Sequence, residues 1–207
     1  EQKIRKANRL YLFISQVNQM IVRVTEEKTF FKEACRIAVD VGKFRMAWIG
    51  IIDEETKKVI PVMHAGEEMD YLSRIKIISV ADVPEGRGPT GTALREGKYI
   101  ICNDIETDPN MAPWKEAALG RGYHSSMALP IKKFEKVGGV FSFYASEKNF
   151  FDTEEIALLQ EATGDVSFGL EILENGQMRR KAEAEVVKVY KEKETTLNRI
   201  KDAMVSV

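Results

Sequence analysis

Residues 44–52 read FRMAWIGII, a run almost without polar side chains. As a strand it has little water on either face, so the rest of the chain must cover it on both sides. The flanking sequence supplies the cover. Ala7, Leu10, Ile14, Val17, Ile21 and Val24 recur at spacings of three and four, the mark of an apolar helix stripe. A second helix starts at Thr29, with Phe30, Phe31, Ala34, Ile37, Ala38 and Val41 on its apolar side and Gly42 suited to its end. After the dry strand, Asp53–Lys58 is a charged turn and Val59–His64 the returning arm of a hairpin. Arg74–Val80, Tyr99–Cys102, Ser126–Ile131 and Gly139–Ala145 bring the strands to about six. Asp152-Thr153-Glu154-Glu155 then resembles a helix start, with Asp152 as cap and Glu155 three residues on as in a capping box. Ile156, Leu159, Val166, Leu170 and Leu173 give this helix its stripe, with a weak point at Glu174-Asn175-Gly176. From Gln177 the chain is charged, and Val186, Tyr190, Leu197, Ile200 and Met204 form a narrow seam interrupted by Lys193, a short coiled-coil signal. Hairpin strands with helices gathered at both ends predict an α+β fold with an antiparallel sheet.

Composition narrows the function. The 207 residues are 44% hydrophobic and 30% charged, and 31 Lys and Arg balance 32 Asp and Glu. Nothing in that balance calls for nucleic acid or an anionic membrane. No apolar run approaches the roughly 20 residues of a membrane helix. Cys35 and Cys102 lie far apart without a CxxC pair, so a reducing cytoplasm is expected. The first residue is Glu1 rather than Met, and the last residues are helix-like, so a piece of a longer protein is expected.

Special-backbone residues concentrate between Gly86 and Pro130. Gly86, Gly88, Pro89 and Gly91 make a tight loop before a helix at Thr92–Glu96. Two readings stand: a backbone that lets a ligand approach the helix start, or turn chemistry in which glycine supplies positive φ. The spacing lacks the downstream acid of a dinucleotide fingerprint. Asn103, Asp104 and Asp108 are explained by Asx turns and supply too few oxygens for a metal. His64 and His124 have no companion ligands for zinc. His124, beside Tyr123, Ser125 and Ser126, has a polar role, with haem ligation as the sharper alternative. Trp48 reads as core and Trp114, in APWK, as a lid over a pocket. The tentative ligand-binding set is Trp48, Thr90, Asn103, Asp104, Trp114, Tyr123, His124 and Ser125. No catalytic or metal residue is proposed.

Five blocks in order resemble a known family: FRMAWIGIID, GRGPTGTALREGKYIICNDIETDP, PWKEAALGRGYHSSMALPI, GVFSFYAS and FFDTEEIALLQEAT. They are similar to a GAF domain, in the subtype found in bacterial sensor histidine kinases and cyclic-di-GMP enzymes. LNRIKDAMVSV looks like the start of a following PAS domain. The resemblance implies a GAF-like antiparallel sheet with helices on both sides and long terminal signalling helices. It divides the chain into a dimerisation helix (1–25), a sensory domain (26–175) and a linker helix (176–207). It implies a small-molecule pocket between sheet and loops, a homodimer through the terminal helices, and an output kinase or cyclic-di-GMP domain in the same chain. His124 stands where this subtype usually has Arg. Lys148, Phe150, Glu154 and Glu155 supply part of a cyclic-nucleotide signature, but Glu147 stands where Asn is expected. Bilin attachment needs a cysteine in another block, followed by His; Cys102 is followed by Asn103. Some GAF-fold proteins reduce free methionine sulfoxide through grouped cysteines, a grouping Cys35 and Cys102 lack. The expectation is a non-catalytic sensory module. The alternatives are a ligand-free dimerisation or spacer element, and a methionine sulfoxide reductase. No cofactor is assigned.

Overall fold

The computed structural model describes residues 2–67, 70–74 and 78–205. In chain order the elements are α1 (Gln2–Arg23), α2 (Glu27–Asp40), β1 (Met46–Ile52), β2 (Val59–Gly66), α3 (Tyr71–Arg74), α4 (Pro89–Glu96), β3 (Ile100–Cys102), α5 (Lys115–Leu119), β4 (Ser125–Lys133), β5 (Lys136–Ala145) and α6 (Thr153–Val205). The chain divides into two units, Glu1–Leu170 and Glu171–Val207.

In the first unit the dry run becomes β1, flanked on both sides in an antiparallel sheet of order β2-β1-β5-β4-β3. Among the described residues the sheet has five strands, against the expected six or so. Of the expected strand at Arg74–Val80, Arg74 closes α3, residues 75–77 lie outside the described residues, and Ser79 makes only an isolated bridge to Lys58. The Val59 N–H donates to the Ile78 carbonyl and the Val80 N–H to the Lys57 carbonyl. Those bonds satisfy the local backbone without a full ladder.

Strand alternation sorts the core into two layers. Ala47, Ile49, Phe141, Phe143, Met127, Leu129 and Ile131 fall on one face, and Met46, Trp48, Val140, Ser142, Tyr144, Ser126 and Ala128 on the other. Helix α2 packs over β1 and β2, burying Phe30, Phe31, Ala34, Cys35, Ile37 and Ala38. Helix α1 lies against α2. It buries Phe13, Val17 and Met20, while Ala7 is exposed and Ile14 and Ile21 are half-buried. The expected stripe on α1 is therefore rotated: the large Phe13 and Met20 take the core side. Helix α4 covers the other face, against β3, β4 and β5.

The left-handed step after α2 falls at Lys43, φ 60°, and not at Gly42. At the start of α6, Asp152 caps as expected, accepting from the Glu155 N–H at 3.1 Å. Glu155 does not return the bond. Its carboxylate pairs with the Arg9 guanidinium of α1 and is buried there. The capping box is thus half made, because an ion pair across the interface claims its acid. Helix α6 buries Leu158, Leu159, Ala162, Val166 and Leu170 in the first unit.

The second unit is helical from 171 to 205, and the sequence 174–176 does not interrupt the helix. Side chains from 177 to 198 are exposed, including Val186, Tyr190 and Leu197 of the narrow seam. Ile200 and Met204 lie where side chains are outside the described residues.

Candidate ligand pocket

The polar-bearing sheet face, α4 and the loop before α5 enclose a small cavity. Its floor follows from strand register. Trp48, Ser142, Ala128 and Ile100 lie side by side across β1, β5, β4 and β3, and the next row is Met46, Tyr144, Ser126 and Cys102. From the first row Ser142 and Ala128 reach the cavity, and from the second Tyr144 and Ser126. Gly88, Pro89, Thr90 and Gly91 at the start of α4 form the roof, with Met111, Trp114, Tyr71 and Ile78 closing the sides. The space swept by the centre of a water-sized sphere is about 20 Å³, enough for about one water.

Close approach, not backbone handedness, explains the roof glycines. Positive φ occurs at Gly66, Gly97 and Gly122 and not at Gly88 or Gly91. A Cβ on Gly91 would collide with the Gly86 and Ser79 carbonyls, and one on Gly88 would collide with the Trp114 ring. So Trp114 rests on bare backbone at the mouth of the cavity. It is buried there, as a closed lid would be.

Around the cavity the chemistry is polar and uncharged. Thr90 Oγ1 and Ser142 Oγ are 3.4 Å apart, a long contact for two hydroxyls. Three tyrosines meet at one end: Tyr71 and Tyr144 have ring centroids 5.7 Å apart, and Tyr123 stands 4.9 Å from Tyr144. Burial pushes the Tyr71 and Tyr144 phenols above their ordinary range; at Tyr144 the Tyr71 hydroxyl and the Trp48 N–H work against that rise. Trp48 is fully buried, and its indole N–H has no hydrogen-bond partner in good geometry. Burial also pushes the Cys102 thiol up to about 12, so it stays protonated. Cys35 lies on α2, at the opposite face of the sheet, and burial raises its thiol further still. Among the described residues no group of three His, Cys, Asp or Glu is placed to hold a metal ion, and no helix is long and apolar enough to cross a membrane.

Of the eight residues singled out in the sequence, Thr90 and Trp114 line the cavity. Trp48 and Tyr123 belong to the core around it. Tyr123 donates its hydroxyl to the Glu67 carbonyl. The other four do not line it. Asn103 holds the approach to α6 by donating to the Phe151 carbonyl and accepting from the Phe151 N–H, both at 3.1 Å. Asp104 accepts from the Glu106 N–H in a turn and pairs with Lys148. Ser125 points to the other sheet face and donates to the Glu147 carbonyl at 2.8 Å. His124 is half-buried; its backbone bonds Ala145 and Ile105, and its Nδ1 has no partner. Tyr71, Met111, Ser126, Ser142 and Tyr144 also line the cavity, and the sequence did not single them out as ligand-site residues.

A layered antiparallel sheet with helices on one face and a glycine-roofed cavity on the other defines a class of small-molecule-binding domain. The GAF domain family matches residues 24–171, well over half of the chain, and the chain belongs to it. Solved structures share the fold at low identity. A free methionine-R-sulfoxide reductase from Neisseria meningitidis, in complex with its substrate, superposes with a TM-score of 0.68 at 14% identity, covering 81% of this chain and 91% of that one. The GAF domain of a phosphoenolpyruvate-protein phosphotransferase from Coxiella burnetii gives 0.64 at 18% identity, covering 86% and 98%. A domain of a Sinorhizobium meliloti protein described as a two-component sensor histidine kinase gives 0.57 at 14%, covering 76% and 99%. Among curated proteins none matches the sequence.

Proposed function

We propose that this GAF domain is a non-catalytic sensory module. It binds a small molecule in the cavity under α4 and passes the change through its terminal helices, in a homodimer, to an output kinase or cyclic-di-GMP domain of a cytoplasmic bacterial signalling chain. The observation that carries the reading is the cavity itself, walled by uncharged polar groups yet without a reactive one. The exposed seam of Val186, Tyr190 and Leu197 supports self-association, since a charged helix with an apolar seam gains by pairing. Thermal-shift and native mass spectrometry against a metabolite library test the binding. Expected are a retained or added small molecule, a raised melting temperature and a change in Trp114 fluorescence. Analytical ultracentrifugation tests the dimer, and a monomer at every accessible concentration sinks the transmission scheme.

One observation favours a spacer instead: the cavity has room for only about one water. Silence across the library would support that reading. The likeness to methionine sulfoxide reductases raises a third. That chemistry needs an activated thiolate and a resolving thiol, whereas Cys35 and Cys102 sit on opposite sheet faces with raised thiols. An NADPH-coupled assay with free methionine sulfoxide is expected to show no turnover.

A further inference from the structure

The wall of the cavity is rich in hydrogen-bond donors and empty of formal charge. Helix α4 begins with Gly88 as a cap that has no side-chain bond and Pro89 in its first turn. The Thr90 and Gly91 N–H groups therefore stand where an α-helix leaves donors without intrahelical partners. Beneath them lie the loosely paired hydroxyls of Thr90 and Ser142. Behind Tyr144 the fully buried Trp48 N–H acts on the Tyr144 hydroxyl, which itself lines the cavity. Buried donors with poor or no partners are costly, and a ligand acceptor offered to the Thr90, Gly91 and Ser142 groups reduces that cost.

Charge is the deciding consideration. Among the described residues that line the cavity none carries a formal charge at neutral pH. Arg121 lies over the Tyr71 ring, 5.5 Å from its centroid, and its guanidinium donates to the Ala117 carbonyl. Arg45 pairs with Glu67. Among the described residues that line the cavity, an anion would meet only the partial positive charge of one helix end, about half a unit. That is small against the cost of burying an unpaired ion.

Resting on the ligand-binding reading above, we propose that the cavity selects an uncharged small molecule presenting a carbonyl-like acceptor, and rejects the carboxylate of the same shape. The acceptor meets the Thr90–Ser142 hydroxyls and the free N–H groups of α4. Trp114 moves off Gly88 to admit anything larger than a water.

The chain has two tryptophans, Trp48 and Trp114, so a ¹⁵N–¹H spectrum of the protein contains two indole signals. Trp114→Phe removes one and identifies the Trp48 N–H, which stands beside the cavity-lining Tyr144. Acetamide and acetate, nearly equal in size, are titrated over the same concentration range. Acetamide is expected to move the Trp48 signal saturably, with acetate at least about tenfold weaker. Ser142→Ala is expected to weaken acetamide about threefold or more, with the spectrum otherwise dispersed as in the parent. If acetate binds as tightly as acetamide, selection for a neutral ligand is wrong while the pocket reading survives. If neither probe moves the signal, both fall.

Discussion

Removing the charge of Glu155 tests how firmly α1 is fastened to the start of α6. Glu155 is 2% exposed and pairs with Arg9, whose side chain is 17% exposed. Breaking a buried pair by deleting one partner costs about 3–5 kcal/mol, because the other charge is left uncompensated. Here the lower end applies. Arg9 also donates to the Gly42 carbonyl at 2.6 Å and lies about 6 Å from the rings of Phe44 and Phe150, so it keeps other partners. Glu155 Oε2 has no partner even in the intact protein, which already weakens the pair. Glu155→Gln should therefore cost about 3 kcal/mol, or a fall of about 6–12 °C in Tm for a domain of this size. Urea unfolding at fixed protein concentration, followed by tryptophan fluorescence, reads it directly, since Trp48 and Trp114 are both buried. The double variant Arg9→Met, Glu155→Met keeps the volume and removes both charges, and should recover to within about 1 kcal/mol of the parent or exceed it. A loss under about 1 kcal/mol in the single variant, or a double variant no better than the single, would refute the reasoning.

Asn103→Ala removes both bonds to the Phe151 backbone and should destabilise the domain by about 1–3 kcal/mol in the same urea assay; a neutral outcome contradicts the pinning role. With the Cys102 thiol held at about 12 and Cys35 raised further, native protein at pH 8 should react with Ellman's reagent only as fast as it opens, and rapid release of two equivalents refutes the burial. Glu54 lies between Lys136 and Lys57, which hold its carboxyl at about 2, below its usual 4.5. A depressed carboxylate adds stability above the unfolded pKa that is lost as pH falls through the folded one. Any gap in urea midpoint between the parent and Glu54→Gln should thus be present at pH 6, small and salt-sensitive because the site is exposed, and shrink as pH falls from 4.5 through 2. A gap as large at pH 2 as at pH 6 contradicts the pairing. Gly88→Ala drives a methyl into Trp114 and should cost about 1–3 kcal/mol with a red shift in emission, whereas an unchanged spectrum means Trp114 does not rest on Gly88.

Much of the fold was legible because it rests on short-range pattern. The dry run gave β1 its inner place in the sheet, and Asp152 announced the start of α6. Misreadings came from partners distant in sequence. Glu155 has the right spacing for a capping box, but Arg9, 146 residues away, takes its carboxylate. Asn103 and Ser125 are polar and lie close to the glycine-rich block, yet they bond Phe151 and Glu147 and serve the backbone. Trp114, read from APWK, and Thr90, within the glycine block, both line the cavity because that block forms its roof. Ser142 and Tyr144 were missed although a signal existed: they alternate with Phe141 and Phe143 in β5, and polar groups on one face of an apolar strand face either solvent or a cavity. Tyr71 had no such signal, since α3 is a single helical turn outside the sheet, set in the connection between β2 and β3.

The two-sided sheet also bears on how such a domain can change its preferences. In β5 the residues that touch the cavity, Ser142 and Tyr144, interleave one for one with Phe141 and Phe143, which pack toward the helices. Exchanging Ser142 or Ser126 changes the chemistry of the cavity wall while leaving the aromatic packing on the reverse side as it was. Cavity wall and helix-facing core thus occupy alternate letters of the same strands, so a lineage or an engineer can vary one without redrafting the other.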